Sequence, residues 1–169
     1  MTDLPSLVDD AIRPNIRRNA KQFASGELAQ RPSPPDWLSQ ANSIEAHVIG
    51  KGWAATTAFD WSRPLSDQLN NNQLESIDIL IASDCAWLAS LLDMLLNTVA
   101  ELFAKSSAPK FLMAFQRRDK NIGTALFTTV NHLSQKVAER RWTMKVLAWR
   151  PVTKVDGTET DVRLVEIYP

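Results

Sequence analysis

Ser83 and Asp84 close a nearly unbroken apolar block, Ile77-Asp78-Ile79-Leu80-Ile81-Ala82, and stand just before a segment of helical periodicity. Open α/β sheets bind ligands outside the carboxyl ends of their strands, so a hydroxyl and a carboxylate at this point are candidates for holding a polar substrate group. The competing reading makes Asp84 a simple cap for the helix that follows. Three residues on, Trp87 offers an aromatic face that can hold a cation or pack its helix on the core. Trp61, ending the segment Ala54 to Trp61, presents the same choice between a ligand-facing ring and an ordinary core tryptophan. Asp3 is either an acceptor for a ligand or a helix-start carboxylate beside Ser6.

Other reactive residue types are not so arranged. Cys85 is the one cysteine of the chain; it forms no internal disulfide, reads as an inert thiol beside a strand end, and points to a reducing compartment, cytoplasmic or nuclear. His47 and His132 lie far apart with no cysteine at ligand spacing, so no metal site is expected. Arg117, Arg118, Asp119 and Lys120 form either a solvated loop or a patch for an acidic partner. Arg140 and Arg141 suit a helix end, where cations complement the dipole.

These residues need a scaffold, and a chain of 169 residues with 44% apolar content is sized for one globular domain. Nineteen basic residues balance nineteen acidic ones, so no global field draws the chain to nucleic acid or to an anionic membrane. The longest apolar stretch is broken by Ser83, Asp84, Ser90 and Asp93 and cannot span a bilayer.

Leu7, Val8, Ala11, Ile12, Ile16, Ala20 and Phe23 recur at helical steps, with Pro14 inside the pattern predicting a bend or two short helices. Residues 25–43 carry Pro32, Pro34 and Pro35 and read as a loop insertion. Strands are expected at Ile44 to Ile49 and Ala54 to Trp61, joined through Gly50, Lys51 and Gly52. Ile77 to Ala82 reads as a buried strand, Ala86 to Ala104 as a helix, Lys110 to Phe115 as a second buried strand, and Gly123 to Arg140 as a second helix. Trp142 to Trp149 and Val162 to Tyr168 predict a terminal hairpin turning at Asp156 and Gly157. The order is that of an α/β domain with a mostly parallel sheet closed by an antiparallel pair.

Several short stretches then fall into a familiar sequence. Thr2-Asp3, Asn15 with Asn19, Phe59-Asp60-Trp61 and Ser83-Asp84-Cys85-Ala86-Trp87 resemble, in order, the signposts of the seven-strand, Rossmann-like S-adenosylmethionine-dependent methyltransferases, in their lysine protein methyltransferase branch (family 16). Lys110 to Arg117 is similar to the family's fifth strand with its following arginine, and Ala148-Trp149-Arg150-Pro151 with the hairpin to its last two strands. The resemblance implies that Asp3 accepts hydrogen bonds from the cofactor's ribose and that Trp61 packs on the cofactor. Ser83 would border the cofactor as well. Asp84 would orient the substrate amine, and Trp87 would line the channel for the substrate lysine. It also implies a protein as substrate.

Two departures accompany it. Trp87 stands where the family has tyrosine and so lacks the hydroxyl. None of the five glycines belongs to a Gly-x-Gly loop, the element on which such enzymes seat the cofactor. The expectation is therefore a methyltransferase domain over residues 1–169 lacking the first strand and glycine-rich loop, with Met1 an internal methionine of a longer protein. Two alternatives stand beside it: a non-catalytic remnant acting as an interaction protein whose exposed sheet edge another chain completes, and a methyltransferase acting on a small molecule.

Overall fold

The computed structural model describes residues 8–24, 33, 46–75, 77–85, 89–105, 110–117, 126, 128 and 142–168. The chain divides into two compact units, Met1–Asp60 and Trp61–Pro169.

In the first unit a π-helical turn, Val8–Ile12, runs into helix α1, Arg13–Ala24. The change of winding falls at Pro14, which has no N–H to continue the ladder to the preceding turn; the bend expected there takes this form. Asp9 and Arg13 pair across one turn on the outside, while Val8 is buried. Strands β1, Ala46–Ile49, and β2, Gly52–Ala55, form an antiparallel hairpin that pairs with no other described strand, with Ile49 opposite Gly52. Gly50 is the first central residue of its two-residue turn and has φ +58, a conformation that suits the strand twist and that glycine adopts without strain. The strand anticipated over Ala54 to Trp61 thus ends at Ala55, and Thr56–Asp60 follow an irregular path.

The second unit is built on a four-stranded sheet of order β3-β4-β6-β5. Its strands are β3, Ile79–Ser83; β4, Lys110–Gln116; β5, Thr143–Thr153; and β6, Glu159–Tyr168. β3 and β4 are parallel and are connected through helix α3, Ala89–Lys105; β4 with β6, and β6 with β5, are antiparallel. Among the described strands the sheet is mixed rather than mostly parallel, because the terminal hairpin supplies two of its three pairings. Of the expected helix from Gly123 to Arg140, only positions 126 and 128 lie within the described residues; both are helical, and Leu126 is buried in the core.

One face of the sheet carries the core. Leu92, Leu95, Leu96, Val99 and Phe103 recur on α3 at steps of three and four and meet Ala82, Phe111, Met113, Phe115, Val165 and Ile167 from the strands. Trp142 closes the cluster against Phe103, their ring centroids 4.8 Å apart and the planes tilted by 49°, within the range of favourable aromatic pairs. Leu65, in a short 3-10 turn (Leu65–Asp67), and Leu74, in helix α2 (Asn71–Glu75), are both buried. Asn70 and Gln73 cap α2 reciprocally: the Asn70 side chain accepts from the Gln73 N–H at 2.9 Å and the Gln73 side chain from the Asn70 N–H at 3.0 Å.

Candidate functional site

The carboxyl ends of β3 and β4 lie side by side, since Ser83 pairs with Ala114 in the parallel ladder. At the end of β3 the chain turns sharply. Asp84 has φ 53, the left-handed region, and its N–H donates to the Ala114 carbonyl at 2.7 Å. Asp84 is the sole non-glycine residue with positive φ among the described residues. An aspartate tolerates this conformation better than most side chains, at a cost of about 1–2 kcal/mol relative to the right-handed form. The backbone is thereby held at the position where ligands meet open α/β sheets. Ser83 and Asp84 are both exposed there, as a binding role requires. Cys85, half-buried, donates its thiol proton to the Ser83 carbonyl at 3.3 Å, which ties the turn down.

Trp61 takes a different place. It is half-buried and packs against the α3 core cluster, as Cys85 does, and its carbonyl accepts from the Thr98 hydroxyl at 3.4 Å. Its ring therefore has a structural task whatever else it does. Asp3 and Trp87 lie outside the described residues. Asn15 and Asn19 fall within α1 rather than at its end; Asn19 bonds through its side chain to the Asn15 carbonyl at 2.9 Å. Both line a shallow cleft of about 490 Å³ between α1 and Ile49.

The same end of the sheet carries a charge cluster that the sequence did not announce. Asp161, buried on β6, accepts a two-point bond from Arg163, Nε to Oδ1 at 3.1 Å and Nη2 to Oδ2 at 3.0 Å. Arg117, just past β4, reaches the same carboxylate at 3.5 Å, and its N–H donates to the Asp161 carbonyl at 2.9 Å. The Thr160 hydroxyl completes the tie by donating to the Arg117 carbonyl at 2.6 Å. Arg117 is thus anchored to its own sheet rather than released in a solvated loop. Asp161 and Arg163 alternate on one strand, which gives no signal in the sequence; only the antiparallel register of β4 and β6 brings Arg117 to them.

The lysine methyltransferase family model matches residues 40–133, more than half of the chain. The chain belongs to the lysine methyltransferase family. The match takes in Trp61, Ser83, Asp84 and Trp87, together with β3, α3 and β4, and stops before the terminal hairpin. No curated protein sequence matches the chain. The reaction of the family is S-adenosylmethionine-dependent methylation, and the mixed α/β architecture agrees with its Rossmann-like fold.

The glycines among the described residues do not form the family's cofactor loop. Gly50 and Gly157 turn hairpins, both with positive φ, and Gly52 opens β2; none stands between a strand and a helix, where free N–H groups can meet a nucleoside. Among the described residues no group of three or more histidines, cysteines, aspartates or glutamates gathers to hold a metal ion. No helix among them is long and apolar enough to cross a membrane.

Proposed function

We propose that this chain is a protein-lysine methyltransferase in which the β3 turn presents the substrate amine. The observation that carries the reading is the exposed, left-handed Asp84 at the carboxyl end of a parallel strand, inside the stretch matched by the family. Methyl transfer asks little acid-base chemistry of the protein beyond aligning a neutral amine and accepting the proton it sheds. Asp84 suits both tasks: its carboxylate accepts a hydrogen bond from the lysine nitrogen and orients the lone pair. Ser83 contributes a second polar contact beside it, and Trp87 an aromatic wall for the aliphatic stem and cationic head of the lysine. Trp61 borders the cofactor side and Asp3 serves the ribose hydroxyls, both on the family's pattern.

The test is calorimetric titration of the purified chain with S-adenosylmethionine and with S-adenosylhomocysteine, followed by the same titration of Asp84→Gly. The reading expects saturable binding that survives in the variant, because Asp84 serves the amine and not the cofactor. Absence of binding to either ligand would remove catalysis by this chain and leave an interaction role.

A further inference from the structure

Of the five glycines in the chain, Gly157 alone follows an aspartate or asparagine. An aspartyl-glycine bond can rearrange in water without any other reagent. The glycine nitrogen bonds to the side-chain carboxyl carbon of the aspartate and closes a five-membered succinimide, while a carboxyl oxygen leaves as water with the amide proton and the acid proton. Water then opens the ring at either carbonyl. Opening at the side-chain carbonyl restores aspartate; opening at the main-chain carbonyl leaves isoaspartate, with the backbone running through the side-chain methylene. Glycine favours the closure because no Cβ obstructs its nitrogen.

Asp156-Gly157 stands at the tip of the β5–β6 hairpin, in a three-residue loop that begins at Val155. The Lys154 N–H donates to the Thr158 carbonyl at 2.8 Å, the Gly157 N–H donates to the Lys154 carbonyl at 2.9 Å, and Gly157 has φ +78, the pattern of a hairpin turn closed by a glycine bulge. Val155, Asp156, Gly157 and Thr158 are all exposed, so water reaches both reacting groups.

Contacts within the turn oppose the rearrangement. The proton of the attacking nitrogen is engaged by the Lys154 carbonyl. The carboxyl under attack is held by Thr158: Oδ1 of Asp156 accepts from the Thr158 N–H at 2.9 Å and from the Thr158 hydroxyl at 2.6 Å. The hydroxyl first, then the N–H, and the charge of Lys154 last keep this carboxyl ionised. A carboxylate is a far poorer electrophile than the acid, and ring closure must break both bonds to Thr158 before the carbon can turn to the nitrogen.

We propose that Asp156-Gly157 is an isoaspartate-forming site that the Thr158 hydroxyl holds closed while the hairpin turn is folded. Its place in the sheet gives the consequence. The ladder of β4 with β6 reaches Gln116 opposite Val162, whereas β5 and β6 stay paired out to Thr153 and Glu159. Among the described strands the turn therefore projects past β4 at the sheet's carboxyl end, held by its own ladder. An added main-chain atom at position 156 lengthens the loop and displaces Gly157 from the Lys154 carbonyl. Nothing in this chemistry requires methyl transfer, so it stands or falls apart from the function proposed above.

The whole chain is held at neutral pH and physiological temperature for several weeks, folded and in guanidinium chloride, beside folded Thr158→Val and Thr158→Ser. The tryptic peptide of residues 155–163 is then resolved by reversed-phase chromatography with electron-transfer fragmentation, which distinguishes isoaspartate from aspartate. Valine removes the hydroxyl and keeps the N–H and the shape; serine keeps both donors. Circular dichroism verifies that the variants keep their fold. The folded parent and Thr158→Ser are expected to form isoaspartate at least about tenfold more slowly than the unfolded parent, because two or three ordinary hydrogen bonds must open first. Thr158→Val is expected to exceed the folded parent at least about threefold, the effect of losing one such bond. Equal rates in the folded and unfolded parent overturn the proposal, and so does a Thr158→Val rate no faster than the parent's. A Thr158→Ser rate as fast as the valine variant's also overturns it, since the hydroxyl would then not be what holds the carboxyl.

Discussion

The N–H of Asp84 donates to the carbonyl of Ala114 at 2.7 Å, and this bond holds an aspartate at φ 53 where β3 ends. The ladder thus continues one residue past the strand while the chain reverses its twist, leaving the Asp84 side chain exposed at the sheet's carboxyl edge. Replacing Asp84 with glycine keeps the turn and relieves the left-handed cost, so Asp84→Gly is expected to leave stability within about 1 kcal/mol of the parent or above it. Methyl transfer by the same variant is expected to fall at least about tenfold. Urea denaturation and a methyl-transfer assay on one preparation separate the two effects; parallel losses of stability and activity would make Asp84 a structural residue only.

Leu96 sits fully buried where α3 crosses the sheet, among Met113, Ile167 and their neighbours. Truncation to alanine removes transfer energy and leaves a cavity, so Leu96→Ala is expected to cost about 2–5 kcal/mol. Chemical denaturation gives the value directly. A loss below about 1 kcal/mol would mean that α3 does not anchor the second unit.

Asp161 holds Arg163 by a two-point bond and Arg117 by a longer one. Removing the carboxylate leaves both guanidinium groups without it, and Asp161→Ala is expected to destabilise by about 1–3 kcal/mol. Because Arg117 and Arg163 are themselves partly exposed, water offsets part of the loss and keeps it below that of a fully buried pair. A double-mutant cycle with Arg163→Ala checks the assignment: additive effects would show that the two residues do not interact.

In the β5–β6 turn, the Thr158 hydroxyl and then its N–H hold the carboxyl of Asp156 below its ordinary value, with the charge of Lys154 adding to the effect. A carboxyl lowered in the folded state contributes its stabilisation above the unfolded value and loses it as pH falls through the folded one. The turn is therefore expected to keep its order through neutral pH and to loosen only in acid, below the usual carboxylate range. Amide exchange at Thr158 followed against pH reads this, and Asp156→Asn should flatten the profile. An unchanged profile in the variant would place the pH response elsewhere.

The parts of this fold that one periodicity governs were legible in the sequence. The apolar block at Ile77 to Ala82 is β3 shifted by two residues at its start, the leucine pattern from Ala86 is α3, and the alternating segments around Asp156-Gly157 are the terminal hairpin, with both strands longer than the alternation suggested. Helix α2 leaves no periodic trace in the sequence. Its apolar content is too small to show a period, yet Asn70 and Gln73 stand at capping-box spacing and carried the signal. The strand expected over Ala54 to Trp61 stops at Ala55, because alternation alone does not mark where pairing ends. At the candidate site, Ser83 and Asp84 stand out in the sequence because they end an apolar block; the burial on both faces expected of that block does not hold, since Ile79 and Ile81 are 47% and 72% exposed. The tie of Arg117 to Asp161 does not, since it depends on the register between two strands far apart in the chain, which neither strand's composition encodes.

A β3 turn that serves methyl transfer to protein lysine must put methyl groups on lysine. The chain is incubated with methyl-tritiated S-adenosylmethionine and a protein extract, the protein is hydrolysed, and methylated lysines are counted by amino-acid analysis beside the Asp84→Gly variant. Label is expected in methyl-lysine for the parent chain and is expected to be lost in the variant. Label confined to small molecules, or no label above a protein-free control, would contradict that role.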